Sequence, residues 1–320
     1  MNSRKLITYF NYLASIVFLI CIVVYFQRHQ DEVQNILKFS QRALGELFLM
    51  SLLIIVIYSY KILLTYRFLG LRISNFSWFR IFIISRFINF HVLQGANVYR
   101  SFILKKEHNF SYTRSVSLIG GLVWLELVMI FMFTLAVIIL PQFYKEHIAA
   151  IEILGGLLIV VVALPWVLLQ ILKLASLRSL VRASWISKLK EILDDLTRLI
   201  ANRQLLGKYF LASTVIFVLY FLSVRICFQA LETPFEEGAL ALFTAFLFLT
   251  RTLNIVPGNI GLAEIGCGLF VNQLGGSVGG GIVVSGVFRI LGYGATVFWA
   301  LFCLKDLWRY GKLKREKFST

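Results

Sequence analysis

Apolar runs of roughly 20 residues recur along this 320-residue chain. As helix, each would cross about 30 Å of hydrocarbon. No other feature limits the fold so strongly. Inside lipid every backbone N–H and C=O must be satisfied, and a helix does this within its own segment. The sequence therefore predicts an all-α polytopic membrane helix bundle. Composition agrees, with 59% hydrophobic and 15% charged residues, where a soluble domain carries about a quarter charged. The first run, Leu6–Phe26, has the wrong length and flanks for a cleaved signal peptide and reads as a retained span.

About eight hydrophobic segments are legible. Six read as full spans, at about 6–26, 44–66, 116–140, 151–172, 209–231 and 281–304. Two, 76–114 and 238–276, are apolar but interrupted, and read as re-entrant or broken helices. Residues 1–320 form one integral membrane domain on this reading. Its first half is about 1–172, a linker covers 173–208, the second half is about 209–305, and 306–320 is a basic tail.

The net charge is +16. With no soluble module to hold a nucleic acid, that charge points to cytoplasmic loops beside anionic headgroups. If both interrupted segments are hairpins, the N-terminus, 67–115, 173–208 and the residues after the last span (305–320) share one side and carry 24 of the 32 Lys and Arg. The positive-inside rule then places both termini in the cytoplasm of a cell (inner) membrane. If 76–94 spanned instead, Arg100, Lys105, Lys106 and Arg114 would be translocated, so the hairpin is preferred. In the linker, Leu189, Ile192, Leu193, Leu196, Leu199 and Ile200 fall at helical spacing. They predict an amphipathic surface helix with Asp194 and Asp195 on its wet face.

Cys21, Cys227, Cys267 and Cys303, and the histidines at 29, 91, 108 and 147, are scattered. No metal site, disulfide framework or cofactor motif is expected from them. GGSVGGG at 275–281 lacks the Lys-Ser/Thr of a phosphate loop and reads as the turn before the last span. Gly286, Gly292 and Gly294 read as close-packing positions on that span.

The interrupted segments carry the chemistry. In NIVPGNIGLAEIG (254–266), Pro257 lacks an N–H and disfavours helix at Val256, while Gly258 and Gly261 allow close backbone approach. Irregular backbone at membrane depth needs protein or a water-filled cavity around it. Asn254, Asn259 and Glu264 are expected to face such a cavity, and the exposed amides opening the next helix would favour an anion. RFINFHVLQGANVYRS (86–101) is broken in the same way by His91, Gln94, Gly95, Asn97 and Arg100. Two breaks entering from opposite faces would suit an inverted repeat.

Glu126, Arg225, Arg251, Glu264 and Arg289 lie within apolar segments, where each charge costs at least about 2.5–3.5 kcal/mol unless paired or hydrated. Lys61, nearer a span end, reads as a snorkelling side chain. One account is structural Glu–Arg pairs; the other is a polar path. On the second account Arg100, Arg251 and Arg289 attract a phosphate-bearing headgroup, and Glu126 and Glu264 orient them.

Pro257-Gly258-Asn259-Ile260-Gly261-Leu262-Ala263-Glu264 resembles the P-G-G-x-G-x-x-E motif of the lysylphosphatidylglycerol synthase transmembrane region, a flippase-like family. Gly95, Arg100, the LKKEHNFSYTR loop and Glu126 follow the order of that family's first-half pattern. The resemblance runs from about 45 to 305. Asn259 stands where the motif has its second glycine, and Ala96 and Asn97 stand where the family tends to have an acidic residue. What the resemblance implies is lipid movement between leaflets. The aminoacyl-transferase domain of multidomain relatives has no counterpart in this sequence, so lysyl transfer is not expected of it.

Three functions are therefore carried forward. The first is a lipid translocase without a cofactor, moving an anionic phospholipid, glycolipid or polyprenyl-phosphate-linked lipid; its partners would be membrane lipids. The second is a membrane-embedded glycosyl or lipid-phosphate transferase, which would need clustered carboxylates; the four Asp (31, 194, 195, 306) form no cluster with His. The third is a scaffold for a lipid-modifying enzyme.

Overall fold

A computed structural model describes residues 39–92, 94–138, 194–233, 235–252 and 259–318, with isolated helical positions at 27, 159–160, 162–163, 167 and 170. The described residues are helical, joined by short turns. In chain order the helices are α1 (Gln41–Phe68), α2 (Asn75–His91), α3 (Gly95–His108), α4 (Tyr112–Ile138), α5 (Arg203–Ala230), α6 (Glu237–Thr252), α7 (Leu262–Gln273) and α8 (Val278–Phe318). Four are long and apolar enough to cross a membrane: α1, α4 over Tyr112–Val137, α5, and α8 over Val278–Cys303. They coincide with four of the six expected spans. The expected spans 6–26 and 151–172 lie outside the described residues, apart from the isolated helical positions in the second.

Local chemistry sets the helix starts. Ser40, Ser74 and Asn202 cap α1, α2 and α5 by accepting from the amides of Ala43, Ser77 and Leu205, each satisfying a donor that the first helical turn leaves open. Large apolar side chains remain on the outside of the spans. Leu49, Leu211 and Ile290 are exposed, as lipid-facing positions would be.

Both interrupted segments are broken helices. α2 ends at His91, Val92 is extended, Gln94 adopts a left-handed conformation, and α3 begins at Gly95. α6 has 16 residues and α7 has 12, roughly 24 and 18 Å of helix, each short of the hydrocarbon thickness. Asn254, Pro257 and Gly258 lie outside the described residues.

α1 is central and packs against α2, α4, α5 and α8. α8 packs against α1, α2, α5 and α7. One apolar core joins α5, α6 and α8; another joins α1, α2 and α8. Trp78 pins α2 to α1 by donating to the Ser59 carbonyl at 2.9 Å. α7 and α8 lie unusually close, because a Cβ at Gly281 would fall 2.5 Å from the Cys267 carbonyl oxygen. The close-packing glycines are thus Gly268 and Gly281. Gly286 has open space around it, and Gly292 and Gly294 meet nothing nearer than 3.6 Å, which corrects the sequence expectation.

Residues 194–201 are helical, as the linker spacing predicts. Leu196 and Leu199 are buried against Gly121 of α4. Asp194 is exposed, but Asp195 is buried, so the wet face holds only the first of the pair. Leu189, Ile192 and Leu193 lie outside the described residues.

Candidate functional site

A cavity of about 350 Å³ lies between the two broken segments. α2 and α3 contribute one wall and α6, α7 and Asn259 another, with α1, α4, α5 and α8 completing it. Its volume falls in the usual range for small-molecule sites. Four arginines line it, Arg86, Arg100, Arg251 and Arg289, with Glu126 as the carboxylate among its lining residues.

Two buried ion pairs stand at its edge. Lys61 Nζ donates to Glu126 Oε1 at 2.5 Å and to Ser213 Oγ at 3.3 Å. Lys61 is fully buried, and its ammonium lies 4.7 and 4.8 Å from the ring centroids of Tyr58 and Tyr209. The expectation of a snorkelling Lys61 is corrected: its charge points inward because Glu126 meets it there. Glu126 therefore orients a lysine and not an arginine. The second pair joins Arg289 Nε to Glu264 Oε1 at 2.5 Å.

Glu264 also shapes the second break. Its Oε2 accepts the Gly261 amide at 2.7 Å, a cap on the first turn of α7. Arg289 donates to the Asn259 carbonyl at 2.9 Å, and the Asn259 side-chain amide reaches back to the Thr250 carbonyl at the end of α6. Gly261 has φ +82° and Asn259 φ +52°. Asparagine is among the few side chains that accept the left-handed region, so it can stand where the resembled motif carries glycine. Glu264 lies behind this turn with both oxygens engaged, while Asn259 and Arg289 reach the cavity.

The other three arginines form no salt bridge among the described residues. Arg251 donates to the Tyr220 hydroxyl at 2.8 Å and lies over the Tyr220 and Phe288 rings. Arg100 is buried, 5.9 Å from the Phe82 ring centroid, and its Nε has no hydrogen-bond partner among the described residues. Arg86 donates to Thr296 at 3.1 Å. A buried donor without an acceptor is costly, and Arg100 Nε is such a donor on the cavity wall.

Of the sequence-predicted residues, Arg100, Glu126, Arg251, Asn259 and Arg289 line this cavity, and Gly261 and Glu264 hold its rim. Arg225 lies apart, partly exposed and paired with Glu237 at 3.3 Å. His91 is exposed and sits against Phe87 and Tyr293, not in the cavity. Arg86 was missed. Its signal is the polar stripe Ser85, Arg86 and Asn89 on α2, all three lining the cavity.

A protein-family model described as the Lysylphosphatidylglycerol synthase TM region matches residues 9–300. No curated protein and no solved structure matches the chain.

Proposed function

The chain belongs to the lysylphosphatidylglycerol synthase TM region family, and from that premise we propose that it is a lipid translocase, moving an anionic lipid headgroup through the cavity between its broken helices. The observation that carries this reading is the set Arg86, Arg100 and Arg251, three cavity-lining guanidiniums with no carboxylate partner among the described residues. Guanidinium groups grip phosphate oxygens in paired, charge-assisted hydrogen bonds. A cavity that satisfies them would replace the headgroup's hydration while the tails stay in lipid. Glu264 and Asn259 fix the rim by holding Arg289. The broken helices supply irregular backbone where a polar path needs it. The basic segments 67–115 and 173–208 would gather anionic lipid at a cytoplasmic entrance.

The transferase reading gains nothing from the site. The carboxylates nearest the cavity, Glu126 and Glu264, are each bound to a cation, and they form no carboxylate cluster of the kind such an enzyme needs. Reconstitution into liposomes containing fluorescent phosphatidylglycerol, read by dithionite quenching of the outer leaflet, tests the proposal. The chain should scramble the probe, and Arg251→Ala and Arg100→Gln should slow it at least about tenfold, the loss expected for removing one charge-assisted contact. Scrambling equal to protein-free liposomes, from monodisperse protein, would instead favour a scaffold.

A further inference from the structure

Resting on the translocation reading above, we propose that the cavity selects lipids whose headgroup ends in a phosphate monoester, in preference to phosphodiester or cationic headgroups.

The charge balance of the cavity carries the proposal. Lys61 neutralises Glu126 and Glu264 neutralises Arg289. Arg86, Arg100 and Arg251 are left, on three separate helices. Arg86 and Arg251 line the same cavity. A phosphodiester brings one negative charge and two terminal oxygens. A monoester brings about 1.5 to 2 negative charges at neutral pH and three terminal oxygens. Surrounding cations pull it to the full dianion. Three guanidiniums carried by three helices equal in number the three terminal oxygens.

Arg100 strengthens the case. It is 7% exposed, lines the cavity, and keeps an unpartnered Nε. A donor held so deep without an acceptor points to a ligand oxygen. A lysyl-bearing headgroup, with its added ammonium groups, would meet repulsion from the same three side chains.

The test is a binding series on the full chain in dodecyl maltoside. The probes are dihexanoyl phosphatidic acid, dihexanoyl phosphatidylglycerol, dihexanoyl phosphatidylcholine, lysyl-phosphatidylglycerol and inorganic phosphate. Phosphatidic acid should bind about tenfold to a hundredfold more tightly than phosphatidylglycerol, the gain of one charge-assisted contact. Phosphatidylcholine and the lysyl form should not saturate. Affinity for phosphatidic acid should rise from pH 5.5 to 7.5, as the second proton leaves the monoester near pH 6, while that for phosphatidylglycerol stays flat. Arg86→Gln and Arg100→Gln should each shrink the preference. The lipid series and pH profile on the unsubstituted chain keep the test independent of how well those variants fold.

Equal affinity for the two glycerolipids, or a flat pH profile, overturns the monoester proposal and leaves the translocation reading standing. Inorganic phosphate displacing phosphatidic acid at equal concentration overturns the lipid source. Saturable binding of none of these probes overturns the proposal and the translocation reading together.

Discussion

Lys61 on α1 and Glu126 on α4 meet at 2.5 Å with both side chains at most 5% exposed. They stand 65 positions apart in sequence and join two of the four long apolar helices. Removing one partner leaves a buried charge with nothing to balance it. In soluble proteins this costs about 3–5 kcal/mol. Lys61→Met should therefore lower the thermal midpoint sharply and reduce the monodisperse yield. Lys61→Met combined with Glu126→Gln should recover most of the loss, because no isolated charge remains. Thermal unfolding of the three variants in detergent, followed by tryptophan fluorescence, gives the comparison. Equal damage in the single and double variants would mean that the lysine contributes by packing and not by pairing.

Glu264 predicts a separation of stability from binding. It caps Gly261 and holds Arg289 but does not line the cavity. Glu264→Gln keeps an oxygen for the Gly261 amide and loses the charge that balances Arg289. Its thermal midpoint should fall less than that of Glu264→Ala, which loses both contacts. Neither substitution should weaken binding of an anionic lipid, since each leaves the cavity more positive. Arg251→Ala should behave in the opposite way, with weak binding at near-native stability. A binding titration beside a melting curve for each variant decides the matter.

Much of this arrangement was legible in the sequence, for a physical reason. Hydropathy reports the depth of a residue, so the four long helices and the two interruptions at 76–114 and 238–276 stood out. Arg251 and Arg289 stand out as charges at depth and Arg100 as a polar break in an apolar run, and the cavity gathers all three. Hydropathy does not report which way a side chain faces around its helix. By hydropathy Lys61 reads as interfacial although it points inward, Asp195 reads as wet although it is buried, and Arg86 merges into its apolar run. Glycine at helical spacing was equally silent. Only the helix arrangement shows that Gly268 and Gly281 are close contacts and Gly286 is not.

Asn259 tests the conformational account of the second break. Its φ of +52° suits glycine and asparagine, and its side chain also ties the rim to Thr250. Asn259→Gly keeps the backbone freedom and loses the tie, so it should cost about 1 kcal/mol, the worth of one hydrogen bond. Asn259→Val loses the tie and forces a β-branched residue into the left-handed region, a further cost of roughly 1–3 kcal/mol. The valine variant should therefore melt well below the glycine variant. Equal midpoints would show that the side-chain contact, and not the backbone conformation, governs this position.

Gly281 and Gly286 lie one and a half turns apart on α8 and should respond in opposite directions to the same substitution. A Cβ at Gly281 would sit 2.5 Å from the Cys267 carbonyl oxygen and 2.8 Å from the Gly268 Cα. These are backbone atoms that cannot swing aside, so Gly281→Ala must push α7 away from α8. That movement would carry Ala263, which lines the cavity from α7, away from Ser285 and Phe288 of α8, and so deform the cavity wall itself. A Cβ at Gly286 meets nothing within 4 Å. There alanine replaces the helix-weakening glycine at a gain of up to about 1 kcal/mol. Gly281→Ala should consequently lower the thermal midpoint and the binding of an anionic lipid together, while Gly286→Ala should raise the midpoint slightly and leave binding unchanged. If Gly281→Ala melts and binds like the parent, α7 and α8 do not approach this closely, and the cavity wall does not depend on their contact.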